Sequence, residues 1–122
     1  MSLTEFQLHK QAAEYLRTVL APEVLWWHTP NNPRDAKHGA ILKSMGALAG
    51  VPDFMLMWRS GSEYFQLGLE LKVEYRKPSD AQLEFADRFR AVGGFYSICR
   101  SIDAISDELE RYGVPTRGKL AA

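Results

Sequence analysis

The stretch from Asp53 to Val73 constrains this chain more than any other part of it. Two runs of strand-forming residues, 53–58 and 64–73, flank the polar segment 59–63 (RSGSE), which has the length and composition of a hairpin connection. So short a connection makes the two runs pair antiparallel. In the second run Leu67, Leu69, Leu71 and Val73 alternate with Gly68, Glu70 and Lys72. Side chains two apart in a strand leave the same face, so one face is apolar and the other presents an acid beside a base.

The rest of the chain supplies elements to cover that hairpin. Thr4 with Gln7 has the form of a capping box, and Leu8, Ala12, Tyr15, Leu16, Val19 and Leu20 then recur at helical spacing until Pro22, predicting a helix over 5–21. Residues 24–27 read as a strand, 29–37 as loop, and 36–45 as a short helix stopped at Gly46. Ser79 with Gln82 is a second capping box, and Leu83, Phe85, Ala86, Phe89 and Val92 carry a helix to Gly93-Gly94. A strand over 95–100 and a helix over 102–112, capped by Ser101 and ended at Gly113, follow. The order α, β, short α, β, β, α, β, α, without internal repeats, predicts an α/β (α+β) domain: a mixed sheet flanked by helices. With 122 residues there is length for one core, expected over 1–115, with 116–122 as a flexible C-terminal tail.

Charge and composition exclude several classes. Fifteen basic and fifteen acidic residues give zero formal net charge, which argues against coating nucleic acid by bulk electrostatics. Local basic groups, Arg34, Lys37 and Lys43 in one stretch and Arg76 and Lys77 after the second strand, are either solvated surface or local contacts. No apolar run approaches the roughly 20 residues of a membrane span, and the N-terminus lacks the pattern of a signal peptide, so a cytoplasmic protein is expected. The single cysteine, Cys99, lies in an apolar alternating run and is expected to be a small buried hydrophobe.

Glu70 and Lys72 alone would be an ordinary exposed pair. Asp53 changes that: placed by Gly50-Val51-Pro52 at the start of the neighbouring strand, it is folded back beside Glu70 by the hairpin. Two carboxylates with a lysine nearby suit Mg²⁺, with Mn²⁺ as a substitute, holding a substrate phosphate. Gly68 leaves space beside them for a ligand or a neighbouring backbone. Gln82 is either the return half of its capping box or a support for the site. Glu74 reads as a strand-end charge. His28 and Asn31 approach from a loop, but His28 lies outside any close-spaced His or Cys cluster, so no zinc site is expected. His9 and His38 carry no readable signal. Trp26, Trp27 and Trp58 are expected in core or interface rather than as base-stacking platforms.

Pro52-Asp53 and Glu70-Leu71-Lys72 have the form of the PD-(D/E)XK motif. A fuller pattern accompanies them: residues 26–31 (WWHTPN), Arg34, 42–46 (LKSMG), 50–53 (GVPD), 70–72 (ELK), Ser79 with Gln82, and 93–96 (GGFY). Together these resemble the VRR-NUC family, the virus-type replication-repair nuclease domain, over nearly the whole chain. The resemblance implies a restriction-endonuclease-like αβββαβ core and a divalent-metal phosphodiesterase acting on DNA. In that reading Asp53 and Glu70 are metal ligands, Lys72 positions the attacking water and stabilises phosphate charge, and Gln82 supports the site. A further acidic ligand is implied from the first helix, where Glu5 and Glu14 stand. Glu5 shares a face with Leu8, Ala12 and Leu16 and is expected to point inward, whereas Glu14 groups with Gln7, Lys10 and Arg17. DNA contacts are expected from Asn31, Arg34, Lys37, Lys43, Arg76 and Lys77. The resemblance also implies a homodimer directed at branched or structured DNA, such as four-way (Holliday-type) junctions, in replication, repair or recombination; the compact form suggests a phage or bacterial origin. The competing expectation is a module that binds structured DNA without cutting it.

Overall fold

In the computed structural model, which describes residues 3–30 and 34–118, the hairpin is the centre of a four-stranded sheet ordered β1-β2-β3-β4. β2 (Phe54–Ser60) and β3 (Glu63–Leu71) are joined by Gly61 and Ser62 alone. Gly61 has φ +63, the sign that a two-residue hairpin needs at its first position to match strand twist. The two strands pair antiparallel from Phe54↔Leu69 to Ser60↔Glu63. β1 (Leu25–His28) adds antiparallel to β2, and β4 (Phe95–Cys99) adds parallel to β3. A parallel neighbour needs a long crossover, supplied by α3 (Asp80–Ala91). α1 (Glu5–Val19), α2 (Ala36–Ser44) and α4 (Ile102–Arg111) complete the expected order.

Both capping boxes form, Thr4 with Gln7 and Ser79 with Gln82. α1 ends before residue 21 because Leu20 turns extended and bridges Thr116, while the Ala21 N–H donates to the Pro115 carbonyl at 3.1 Å. The stretch expected to be a loose tail therefore begins with a paired residue; residues 119–122 lie outside the described ones. β3 ends at Leu71 rather than Val73, although the Lys72 N–H still reaches the Cys99 carbonyl at 3.1 Å. Glu74 consequently sits in a turn beyond the strand, not on the face of Glu70 and Lys72.

One sheet face builds the core. Phe54, Leu56, Trp58, Leu67, Leu69, Leu71 and Cys99 are sealed by Leu8, Ala12 and Leu16 of α1 and Ile105 and Leu109 of α4. Each large apolar side chain contributes about 1.5–3 kcal/mol by leaving water, so this face holds sheet and helices together. Trp26 packs against the same cluster. Ser97, the polar residue on this face, donates its hydroxyl to Glu108 Oε2 of α4 at 2.6 Å, which satisfies it. Burial first, then the charges of Glu108 and Asp107, push the Cys99 thiol up to about 12, so it stays protonated.

The opposite face carries Met55, Gly68, Glu70 and Tyr96 and meets α3. A Cβ at Gly68 would stand 2.7 Å from Pro52 Cγ. The space expected beside Glu70 is thus filled by the Pro52 ring and is not open to a ligand. Gly50, at φ +83, lies against the first turn of α3, where a Cβ would collide with the Ala81 carbonyl. Segment 50–53 is wedged between helix and strand, and this fixes Asp53.

Gly46 and Gly50 both have positive φ, but a Cβ at Gly46 meets nothing within 4 Å. Gly46→Ala is expected to cost about 1–2 kcal/mol, the left-handed penalty alone. Gly50→Ala should exceed it by roughly 1–3 kcal/mol, the cost of overpacking, read as a lower denaturant midpoint at unchanged slope. Equal midpoints for the two variants would mean that segment 50–53 is not clamped by α3.

Candidate active site

Continuing the β2–β3 register one step past Phe54↔Leu69 brings Asp53 opposite Glu70. Both are buried, at 8 % and 2 % exposure. Asp53 Oδ2 accepts the Leu71 N–H at 2.7 Å, occupying a ladder donor where β2 begins. Its carbonyl accepts the Thr29 N–H at 2.8 Å, so Asp53 is held from both neighbouring strands. Lys72 Nζ stands 4.0 Å from Glu70 Oε2.

Gln82 makes a contact at each of its two ends. Its Oε1 accepts the Ser79 N–H at 2.9 Å, closing the capping box, and its Nε2 donates to Glu70 Oε2 at 3.1 Å. The Ser79 N–H dictates which end of the amide is oxygen, and so turns the NH₂ end to Glu70. A glutamate would cap the helix equally well but would set a further carboxylate against Glu70.

Glu70 is pushed up to about 9: by burial first, then by the Asp53 charge and a hydrogen bond shared with Asp53, with Lys72 opposing. Glu70 Oε1 has no hydrogen-bond partner, and with its pKa raised Glu70 holds its proton more tightly than an ordinary carboxyl. A divalent cation would take the place of that proton. Among the described residues no three His, Cys, Asp or Glu side chains form a ready-made cage. An ion of the magnesium type, which retains several waters, needs only one or two carboxylates, and the buried pair with an orphaned oxygen fits it. The Tyr96 hydroxyl is also buried without a partner. Burial, then Glu70 and Asp53, raise its pKa and keep it neutral, and Arg90 lies over its ring at 5.4 Å.

The residue that sequence reasoning missed is His9. Its Nε2 lies 3.6 Å from Asp53 Oδ2 and 3.9 Å from Glu5 Oε1, and its Nδ1 lies 3.3 Å from His28 Nε2. The available signal was its place one turn after Glu5, on the same side of α1. The His28 pKa is lowered by burial and then by His9, against Asp53. Glu5 does not point inward as expected. It is the first residue of α1, past the end of the core, and its side chain is 60 % exposed, although Glu70 feels its charge. Glu14 is exposed on the polar side.

Of the expected DNA contacts, Arg34, Lys37, Lys43, Arg76 and Lys77 are all exposed, and Asn31 lies outside the described residues. The first three belong to α2 and its approach, and α2 buries no residue. His38 has a local role: its Nδ1 accepts the Arg34 N–H at 3.0 Å. The loop after β3 is tied down by Arg100, whose Nη1 donates to the carbonyls of Val73 at 3.2 Å and Arg76 at 2.7 Å.

A mixed sheet flanked by helices, with an antiparallel hairpin continued by a parallel strand, is consistent with a nuclease-like fold. A solved structure described as a VRR_NUC domain protein matches this chain with a TM-score of 0.69, over 92 % of this chain and 89 % of its own, at 20 % identity. The likeness is one of fold. No family model and no curated protein matches the chain. No helix among the described residues is long and apolar enough to cross a membrane.

Glu70 titrates near 9 in the folded protein and near 4.5 as its ordinary value, so between those limits the folded state binds more protons. Stability of the metal-free protein should therefore fall as pH rises through that window. A loss of order 1 kcal/mol corresponds to roughly 4 °C in Tm. Thermal melts in EDTA across the window should show this decline, and Glu70→Gln should flatten it. A Tm that climbs with pH, or a slope untouched by Glu70→Gln, would refute the protonated pair.

Proposed function

We propose that this chain is a divalent-metal-dependent nuclease that hydrolyses phosphodiester bonds in DNA. The observation that carries this reading is the buried Asp53–Glu70 pair, with Lys72 beside it, at the point where β2 and β3 part. A protein that only held DNA would gain nothing from two buried carboxylates, which repel phosphate. The shared fold of the VRR_NUC domain protein supports the reading, as do the motifs around Asp53, Glu70, Gln82 and Arg34.

Asp53 and Glu70 would hold Mg²⁺, or Mn²⁺ in its place. When bound, the ion supplies Lewis acidity toward a phosphate oxygen and makes water a better nucleophile. Lys72 orients the attacking water and offsets charge that grows on the phosphate. Gln82 keeps Glu70 Oε2 in place through its amide, and Asp53 is kept in place by the Leu71 N–H. The water oxygen bonds to phosphorus as the bond to the leaving sugar oxygen breaks; the water gives up a proton to solvent and the leaving oxygen takes one from solvent, so the step balances. Arg34, Lys37 and Lys43, in and before α2, and Arg76 and Lys77, after β3, contact the DNA backbone, which fixes register without reading sequence. The substrate class is branched or structured DNA, engaged by a symmetric pair of chains, in keeping with the motif resemblance.

Labelled single strands, duplex, flap and four-way junction, incubated with Mg²⁺ or Mn²⁺ and with EDTA as control, test this. Metal-dependent cutting is expected, abolished in Asp53→Ala and Glu70→Ala and lowered roughly 10²–10³-fold in kcat by Lys72→Ala. Cutting that survives Glu70→Ala, or tight binding without cutting by metal-loaded protein, would overturn the assignment.

A further inference from the structure

We propose that His9 Nε2 is a donor that α1 contributes to the divalent cation held by Asp53, with His28 fixing the ring that presents it. The inference rests on the nuclease reading of the site and adds a ligand to it. His9 Nε2 is buried and has no hydrogen-bond partner. Its separation from Asp53 Oδ2, 3.6 Å, is too long for a hydrogen bond. Adjacent donors on an octahedral ion with bonds of about 2.1 Å stand roughly 3 Å apart, so a small approach would let both atoms share one cation.

The other ring nitrogen decides the tautomer. His9 Nδ1 and His28 Nε2 are 3.3 Å apart, so one of the two must carry the hydrogen between them. With the proton on His9 Nδ1, its Nε2 turns a lone pair toward the carboxylates, which is unfavourable there until a cation arrives. A ligating histidine characteristically donates its second N–H to a fixed acceptor, and His28 Nε2 is that acceptor. His28 is held in turn by its ring contact with Phe54, 5.0 Å between centroids. Glu5 Oε1 lies 3.9 Å from His9 Nε2, but its side chain is 60 % exposed, so it reaches the site from the solvent side, one turn earlier in the helix. A neutral imidazole in place of a third carboxylate leaves the site less negative and shifts it toward borderline ions such as Mn²⁺ over Mg²⁺.

Mn²⁺ alone, added to the full chain, is the probe. Pulsed electron paramagnetic resonance of the Mn²⁺-loaded wild type should show modulation from a coordinated histidine nitrogen, altered by ¹⁵N-histidine labelling and absent in His9→Ala. Titration calorimetry should show Mn²⁺ affinity weakened by at least roughly tenfold in His9→Ala and in the same direction in His28→Ala. If His9→Ala does not fold, His9→Asn takes its place, and a wild-type spectrum without a histidine nitrogen overturns the inference by itself. Binding that Asp53→Ala abolishes but that shows no histidine nitrogen, or a nitrogen signal that persists in His9→Ala, would overturn this inference and leave the nuclease reading standing. Mn²⁺ binding indifferent to Asp53→Ala would overturn both.

Discussion

A carboxyl group taken out of water must keep its proton, find an opposite charge or bind a cation, and Glu70 is buried against a second carboxyl that faces the same choice. The geometry around the pair is set by contacts that have little to do with charge. Pro52 seats on Gly68, Gly50 seats on Ala81, and the Leu71 N–H takes hold of Asp53. None of these leaves Asp53 room to withdraw, so burial first, and then the charge of a neighbour that cannot move away, raise the proton affinity of Glu70. The pair is a site because the packing does not let it relax.

The sheet divides its labour between its faces. The apolar side, closed by α1 and α4, carries most of the burial that stabilises the domain. The other side is covered by α3, which buries only Ala86 among its residues and meets Glu70 through an amide rather than a hydrocarbon contact. Polar chemistry is therefore kept off the surface on which folding depends. α1 is the exception, since it gives Leu8, Ala12 and Leu16 to the core and, from the same helix, His9 to the site.

Much of this was legible in the residues because it is governed by local rules. Alternation in 64–73 placed Glu70 and Lys72 together, the short turn brought Asp53 to them, and both capping boxes formed where Thr4 with Gln7 and Ser79 with Gln82 stand. What was not legible depends on distance in space. The depth of Glu70 cannot be read from one strand, since it takes Pro52 and α3 to exclude water from that face. Glu5 has an inward-facing position in a helical wheel, but a wheel has no ends, and Glu5 lies where the helix outruns the core. His9 sits in a polar sequence context and gained meaning only once β1 brought His28 beside it.

Gln82 joins two quantities that are ordinarily independent. Its amide closes the helix cap with one end and grips Glu70 with the other, and a hydrogen bond to an ionised acceptor is roughly twice as strong as one to a neutral group. When Glu70 gives up its proton the grip tightens, and the first turn of α3 is held more firmly with it. Fraying at the start of this helix is thus a gauge of the charge state of the site, and hydrogen exchange at the Ser79 and Gln82 amides would register an event at the carboxyls without any change of fold.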